Sequence, residues 1–158
     1  MHLLKAKFPL MIYTLMSEFN PEVVEKVVPT LPKKIEELDP EEFYDSEYMR
    51  AFLRELSPMA QEVLGKRVFP TTEKTEHQFE GVTDPAIIFK AWGEHYLDNN
   101  IEDEGRDLGG VQSVDVEDGR AVIVENTHWP GDFNRGITMG IVQIAGVKGT
   151  IRATTDIV

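Results

Sequence analysis

His95 shares a helical face with Trp92 and Ile88, so its imidazole is placed to meet a core or a pocket. Imidazole is the commonest axial ligand of haem and a frequent metal ligand. A lone histidine specifies neither, and the same side chain serves equally well as a partly buried residue bonded to a backbone carbonyl. His128, Trp129 and Asp132 surround Pro130-Gly131, ahead of a glycine-bearing helix. Free amides at a helix start attract anions and an indole offers an apolar wall, so these residues could line a ligand mouth. On the other reading Trp129 plugs the end of the core and Asp132 caps the helix. His77 with Glu73, Glu76 and Glu80, and His95 with Glu94 and Asp98, are ligand-type groupings, but neither has a His-Glu-x-x-His spacing. Both are read as solvated surface. No Gly-x-Ser-x-Gly, phosphate-binding loop or dinucleotide fingerprint occurs, and Gly105 to Gly110 lacks the preceding strand and spacing for one. No catalytic residue is assigned.

The elements that would position these residues are marked by cap-proline pairs at Asn20-Pro21, Asp39-Pro40, Ser57-Pro58 and Asp84-Pro85, each predicting a helix start. Met49, Phe52, Leu53 and Leu56 recur at helical spacing and form a buried stripe. Met59, Val63 and Leu64 continue the periodicity until Gly65, a helix stop. The stretch from Phe69 to Gly81, with Pro70 and several threonines, is read as a loop. A further helix from Asp84-Pro85 carries Ile88, Phe89, Trp92, His95 and Tyr96 and ends at Asn99-Asn100. An acidic connector follows from Ile101 to Gly110.

The period then changes. Val114 and Val116, then Ala121 and Ile123 or Val122 and Val124, alternate about Asp118-Gly119, which predicts a two-residue hairpin of type I′. Asp132 is read as the cap of a helix from Phe133 to Ala145 with Ile137, Ile141 and Ile144 on one side. Gly136 and Gly140, four apart on that helix, would let a strand or another helix approach closely. Ile151, Ala153, Thr155 and Ile157 alternate in a final strand. The fold class is therefore α+β, with N-terminal helices followed by a small antiparallel sheet in ββαβ order. Residues 1–158 are read as a single domain, with 1–100 mainly helical and 107–158 as the ββαβ part.

Composition narrows the partners. A 41% hydrophobic and 9% aromatic content fits a folded globule. With 28 acidic against 16 basic residues, the formal net charge of −12 repels phosphate backbones and anionic lipid, so nucleic-acid and membrane binding are not expected. The absence of cysteine removes disulfides, thiolate metal sites and cysteine nucleophiles, and a cytoplasmic location is expected. The apolar opening at Met1 to Ile12 is interrupted by lysines and Pro9 and is too short for a membrane span.

The helix from Ala86 to Leu97, the hairpin through Val122-Ile123-Val124-Glu125-Asn126, and Gly136-Ile137-Thr138-Met139-Gly140-Ile141-Val142 together resemble one superfamily. It unites haem-nitric-oxide-binding (H-NOX) domains with 4-vinyl reductase-like small-molecule-binding domains. The resemblance covers about two-thirds of the chain and rests on pattern and order. It implies a sensory fold in which an axial histidine on the helix before the hairpin, here His95, holds haem. It also implies a Tyr-x-Ser-x-Arg propionate clamp near the end of the second strand, where this chain has Glu125-Asn126-Thr127-His128-Trp129-Pro130-Gly131. A Tyr-Asp-Ser-Glu-Tyr string at Tyr44 to Tyr48 lies on another element. The cysteine-bearing segment often found in the 4-vinyl reductase branch has no counterpart.

The functional expectation is a soluble small-molecule-binding or sensory/regulatory domain without catalytic activity. Its pocket would lie between the Asp84 to Leu97 helix and the sheet, with His95, Trp92, Phe89, His128, Trp129, Gly136 and Gly140 as ligand-binding residues and a small hydrophobic molecule as ligand. The cofactor is unassigned. The alternatives are a dimerising interaction module with no small ligand, acting as a homodimer, and a haem-based gas sensor using His95.

Overall fold

The computed structural model describes residues 1–103 and 108–146, and the expected final strand at 150–157 lies outside them. The fold class is α+β. The described residues form two compact units, one from 1–57 with 97–103 and 108, the other from 58–96 with 109–146.

The first unit opens on a strand, β1 (His2–Lys5), before any helix. Three strands make its sheet in the order β2-β1-β3, all antiparallel, with β2 at Phe43–Asp45 and β3 at Asn100–Glu102. The register pairs Leu4 with Tyr44 and with Asn100, so one central residue ties together segments far apart in sequence. Alternate residues of a strand face opposite sides, and here His2 and Leu4 point inward. His2 is held by its ring: Nε2 is 2.7 Å from Asn100 Oδ1, and Nδ1 is 3.3 Å from the Arg50 guanidinium. The N-terminal ammonium is 2.6 Å from Glu102 and 2.5 Å from Asp103, and these carboxylates raise its pKa to about 10.

Helices α1 (Lys7–Phe19), α2 (Pro21–Val27) and α3 (Glu47–Arg54) complete this unit. Asn20-Pro21 does start a helix, as read from the sequence. Asp39-Pro40 does not: Asp39 closes a turn by accepting the Glu41 amide at 3.0 Å, and the chain proceeds into β2. Met49, Phe52, Leu53 and Leu56 are all buried, against Ile12, Leu15, Met16, Val27 and Ile35 in the same core. Burying a large aliphatic or aromatic side chain contributes roughly 1.5–3 kcal/mol, so this stripe secures α3 more than its short length could.

The second unit is organised by two helices, α4 (Pro58–Glu76) and α6 (Gly131–Ile144), packed along their lengths. Here the structure corrects two local expectations. Gly65 is inside α4, not at its end, because α6 backbone occupies the space a Cβ there would need, at the Phe133 carbonyl. The segment Phe69–Glu76, expected as loop, is the last part of α4 and contains Pro70. Its threonines remain compatible with helix by back-bonding, Thr72 Oγ1 to the Val68 carbonyl at 2.9 Å and Thr75 Oγ1 to that of Thr72 at 3.0 Å. Leu64 is buried, but Met59 and Val63 are not, at 77% and 51% exposure. Gly136 and Gly140 act as their spacing suggested, and the element they admit is a helix: added Cβ atoms would strike the carbonyls of Glu62 and Lys66.

Helix α5 (Pro85–Asn99) begins where Asp84 Oδ1 accepts the Ala86 amide at 3.0 Å, and it ends at Asn99 as expected. Its Ile88, Phe89, Trp92 and Tyr96 are buried. The hairpin of β4 (Val111–Glu117) and β5 (Arg120–Glu125) closes through Asp118 and Gly119, at φ 46° and 76°. Positive φ at both central residues is the type I′ requirement, and Asp-Gly meets it. An irregularity between Val111 and Ser113 shifts the strand by one residue, so Val111 and Val114 share the inward side while Val116 is exposed.

Candidate functional site

The side chains of interest in the second unit gather in two places. The first is where β5 leaves the sheet and enters α6. Within β5, Ile123 and Glu125 take the inward positions while Val122 and Val124 face outward, at 41% and 51% exposure. That parity carries a carboxyl inward. Burial pushes Glu125 up to about 7 from its ordinary 4.5, and a hydrogen bond from Asn134 only partly opposes the rise. Its Oε2 has no hydrogen-bond partner.

Asn134, only 3% exposed on α6, faces the same junction. Its amide Nδ2 donates to Thr127 Oγ1 at 2.6 Å and to the Trp129 carbonyl at 3.4 Å, while its Oδ1 accepts nothing. The His128 amide donates to the Tyr96 hydroxyl at 3.2 Å, tying the same segment to α5. Asn126 closes the other side: its amide donates to the Gly110 carbonyl at 3.0 Å, and its Oδ1 accepts from the Gly110 amide and from Gln112, each at 3.0 Å. Gly109, at φ 75°, lies where a Cβ would strike the Asn126 carbonyl, so only glycine fits.

Helix α6 begins earlier than expected, with Pro130 at its cap position and no side-chain cap. Asp132 lies in the first turn and binds Arg135 at 3.0 Å instead of capping. Arg135 in turn grips Glu62 of α4, with Nε at 2.8 Å and Nη2 at 2.6 Å.

The second place is a cleft of about 400 Å³ at the C-terminal ends of α4 and α6, lined by Glu73, His77, Phe79, Val82, Ile144 and Ala145 among others. Glu73 organises it. Its Oε2 accepts the Phe79 amide at 2.6 Å and brings the loop back over α4, while Oε1 lacks a partner. Phe79 rests on Phe69, with ring centroids 6.3 Å apart. His77 ends α4 at φ 49°, its amide donating to the Glu73 carbonyl at 3.0 Å. A left-handed residue at this position reverses the chain in the manner of a glycine C-cap.

The residues singled out from sequence are thereby separated. Phe89 and Trp92 are core, at 0% and 4% exposure. Gly136 and Gly140 are spent on helix packing against α4. His95 is half-buried on α5, and His128 and Trp129 are half-buried beside the Glu125 junction. Glu125 and Asn134 were not singled out; the signal for Glu125 was its parity with Ile123, which the sequence left open against Val122 and Val124. Glu73 and His77 do meet at the cleft, but among the described residues no group of three or more histidines and carboxylates could hold a metal ion. Nor do the residues at the end of β5 fit haem. Propionates call for cationic or hydroxyl partners, and this position presents a buried carboxyl with an unpartnered oxygen.

Among the described residues no helix is long and apolar enough to cross a membrane. No protein-family model, no curated protein and no solved structure matches the chain.

Proposed function

We propose that this chain is a small-molecule-binding domain with a sensory or regulatory role, whose ligand enters the cleft between the ends of α4 and α6. The observation that carries the reading is the cleft itself: about 400 Å³, walled by Phe79, Val82, Ile144 and Ala145, with Glu73 and His77 at hand for polar contacts. Apolar walls with few polar groups, in a volume of roughly 300–1,000 Å³, are the usual make-up of small-ligand sites. The ligand class that suits it is small and largely hydrophobic, with one hydrogen-bond donor for the carboxylate. The order of helix, hairpin and glycine-bearing helix supports kinship with the H-NOX and 4-vinyl reductase-like superfamily, without its haem chemistry. A cysteine-free sequence suits the reducing cytoplasm.

Native mass spectrometry of the full chain against a panel of small hydrophobic amines and alcohols tests this. A one-to-one complex lost in Thr83→Trp, a substitution at an exposed cleft residue, is expected. Absence of any retained or bound molecule would sink the assignment.

A second reading has its own observation. Met59 and Val63, one turn apart on α4, leave apolar side chains in solvent, and a dimerising module would cover them. Light scattering separates the two readings, because a chain that stays monomeric at high concentration leaves only the ligand-binding role.

A further inference from the structure

The cleft at the ends of α4 and α6 has a definite electrostatic sign. Both helices present their C-terminal ends to it, through Glu73 and His77 at the end of one and Ile144, Ala145 and Gly146 at the end of the other. The aligned peptide dipoles of a helix leave about half a negative charge at that end, which favours a cation beside it. No basic residue stands in the last turn of α6 to answer it. Lys74, in the last turn of α4, is exposed and is not among the lining residues.

The side chains add to the same sign. Among the described residues the lining carries two carboxylates, Glu73 and Glu80, and neither lysine nor arginine. Neither carboxylate takes part in an ion pair among those residues. Glu73 is half-buried; its Oε2 accepts the Phe79 amide at 2.6 Å, and its Oε1 has no hydrogen-bond partner. Two carboxylates and two negative helix poles therefore surround one cleft, with the His77 imidazole as the only basic side chain of its described lining.

We propose that the occupant of this cleft is an organic cation, an ammonium group on a compact apolar body. The proposal rests on the small-molecule-binding reading of the cleft and adds the charge of the ligand to it. The positive head belongs at the carboxylates and the helix ends, and the body lies along Phe79, Val82 and Ile144. A neutral molecule of the same shape makes the same apolar contacts but gains nothing from the field, and an anion is repelled by it. A bare metal ion does not use the apolar wall, and among the described residues no group of three or more histidines and carboxylates could hold one.

The test compares benzylammonium, benzyl alcohol and benzoate, which share a ring and differ in the charge of the head. Each is titrated into the full chain at neutral pH while two-dimensional NMR follows the backbone amides of Phe79, Val82, Thr83 and Ala145. Benzylammonium should bind at least about tenfold more tightly than benzyl alcohol, the scale of one unscreened charge interaction near a protein surface, and benzoate should leave these amides unmoved. Glu73→Gln, which keeps an acceptor for the Phe79 amide, and Glu80→Gln, at an exposed position, should each narrow that preference without weakening benzyl alcohol. Equal affinity for the amine and the alcohol overturns the proposal and leaves the cleft as a site for neutral ligands. Parallel losses of both probes in the two variants also overturn it, since the carboxylates would then act on shape alone. If none of the three probes moves these amides, the binding role of the cleft falls with it. Should Glu73→Gln fail to fold, Glu80→Gln and the three probes on the unsubstituted protein decide the matter.

Discussion

Gly140 of α6 lies over the backbone carbonyl of Lys66 in α4, where an added Cβ would stand 2.6 Å from that oxygen. Lys66 is four residues before Pro70, which has no amide to donate to it. A proline inside a helix also crowds the carbonyl four residues back. The proline and the glycine thus meet at one carbonyl: Pro70 leaves it without its helical donor, and Gly140 sets a bare Cα beside it. Gly136 lies likewise over the carbonyl of Glu62 one turn earlier, where no proline is involved.

Replacing Gly136 by Ala should destabilise the protein. In an exposed helix the change gains about 1 kcal/mol of propensity. Here the methyl group meets the Glu62 backbone, which cannot rotate aside, and overpacking of this sort costs about 1–3 kcal/mol. A net loss of about 1–2 kcal/mol in urea denaturation is expected, with Gly140→Ala behaving alike. An unchanged or higher midpoint would show that α4 and α6 are not in close backbone contact.

These glycines show how much of the fold was legible. Their spacing announced a close approach correctly, because the cost of glycine in a helix demands a packing reason. The hairpin was legible because Asp118-Gly119 needs nothing beyond its own backbone. Gly65 was misread as a helix stop for the same reason that Gly136 was read well: a local signal cannot say whether a missing side chain ends a helix or admits a neighbour. Strand β1 was illegible because His2–Lys5 has no apolar alternation of its own and is defined by partners near residues 44 and 101. Of the site, His128 was noticed as a chemical group. Glu125 was not, since a single irregularity at Gln112 and the strand parity decide that it points inward.

Arg135 joins α6 to α4 through two donors on Glu62. Lysine cannot reproduce that fork. Arg135→Lys should therefore lose about 1 kcal/mol at low salt, and half-burial should keep part of the loss in 1 M NaCl. A loss that vanishes entirely with salt would mean the pair is only a surface contact.

The raised Glu125 carboxyl gives stability a pH dependence of definite sign. Between 4.5 and about 7 the folded chain holds a proton that the unfolded chain has released. Its stabilising contribution is therefore complete below 4.5 and is lost as the pH rises toward and through 7, the reverse of a salt-bridged carboxylate. The interval of about 2.5 pH units corresponds to roughly 3–4 kcal/mol at most, less whatever partial exposure relieves. Denaturation curves from pH 5 to 8 should show the decline in the unsubstituted protein. Glu125→Gln should remove that component and stand above it at pH 8; parallel curves for the two would refute the sign.

Glu73 gives the cleft its shape, and its loss should separate ligand binding from folding. The Phe79 amide donates to this carboxylate at 2.6 Å, and a hydrogen bond to a charged acceptor contributes about 1.5–3 kcal/mol. Glu73→Ala frees the loop from His77 to Thr83 while leaving the α4–α6 glycine contacts in place. Global stability should fall by no more than about 2 kcal/mol, but amide exchange at Phe79 should approach that of an open chain. Any ligand captured by the native chain should bind at least tenfold more weakly, since ordering the loop becomes part of the cost of binding. Glu73→Gln keeps an acceptor for the Phe79 amide and should restore the protection without restoring the charge. If a cationic ligand still binds Glu73→Gln at full strength, the carboxylate shapes the cleft but does not recognise its occupant.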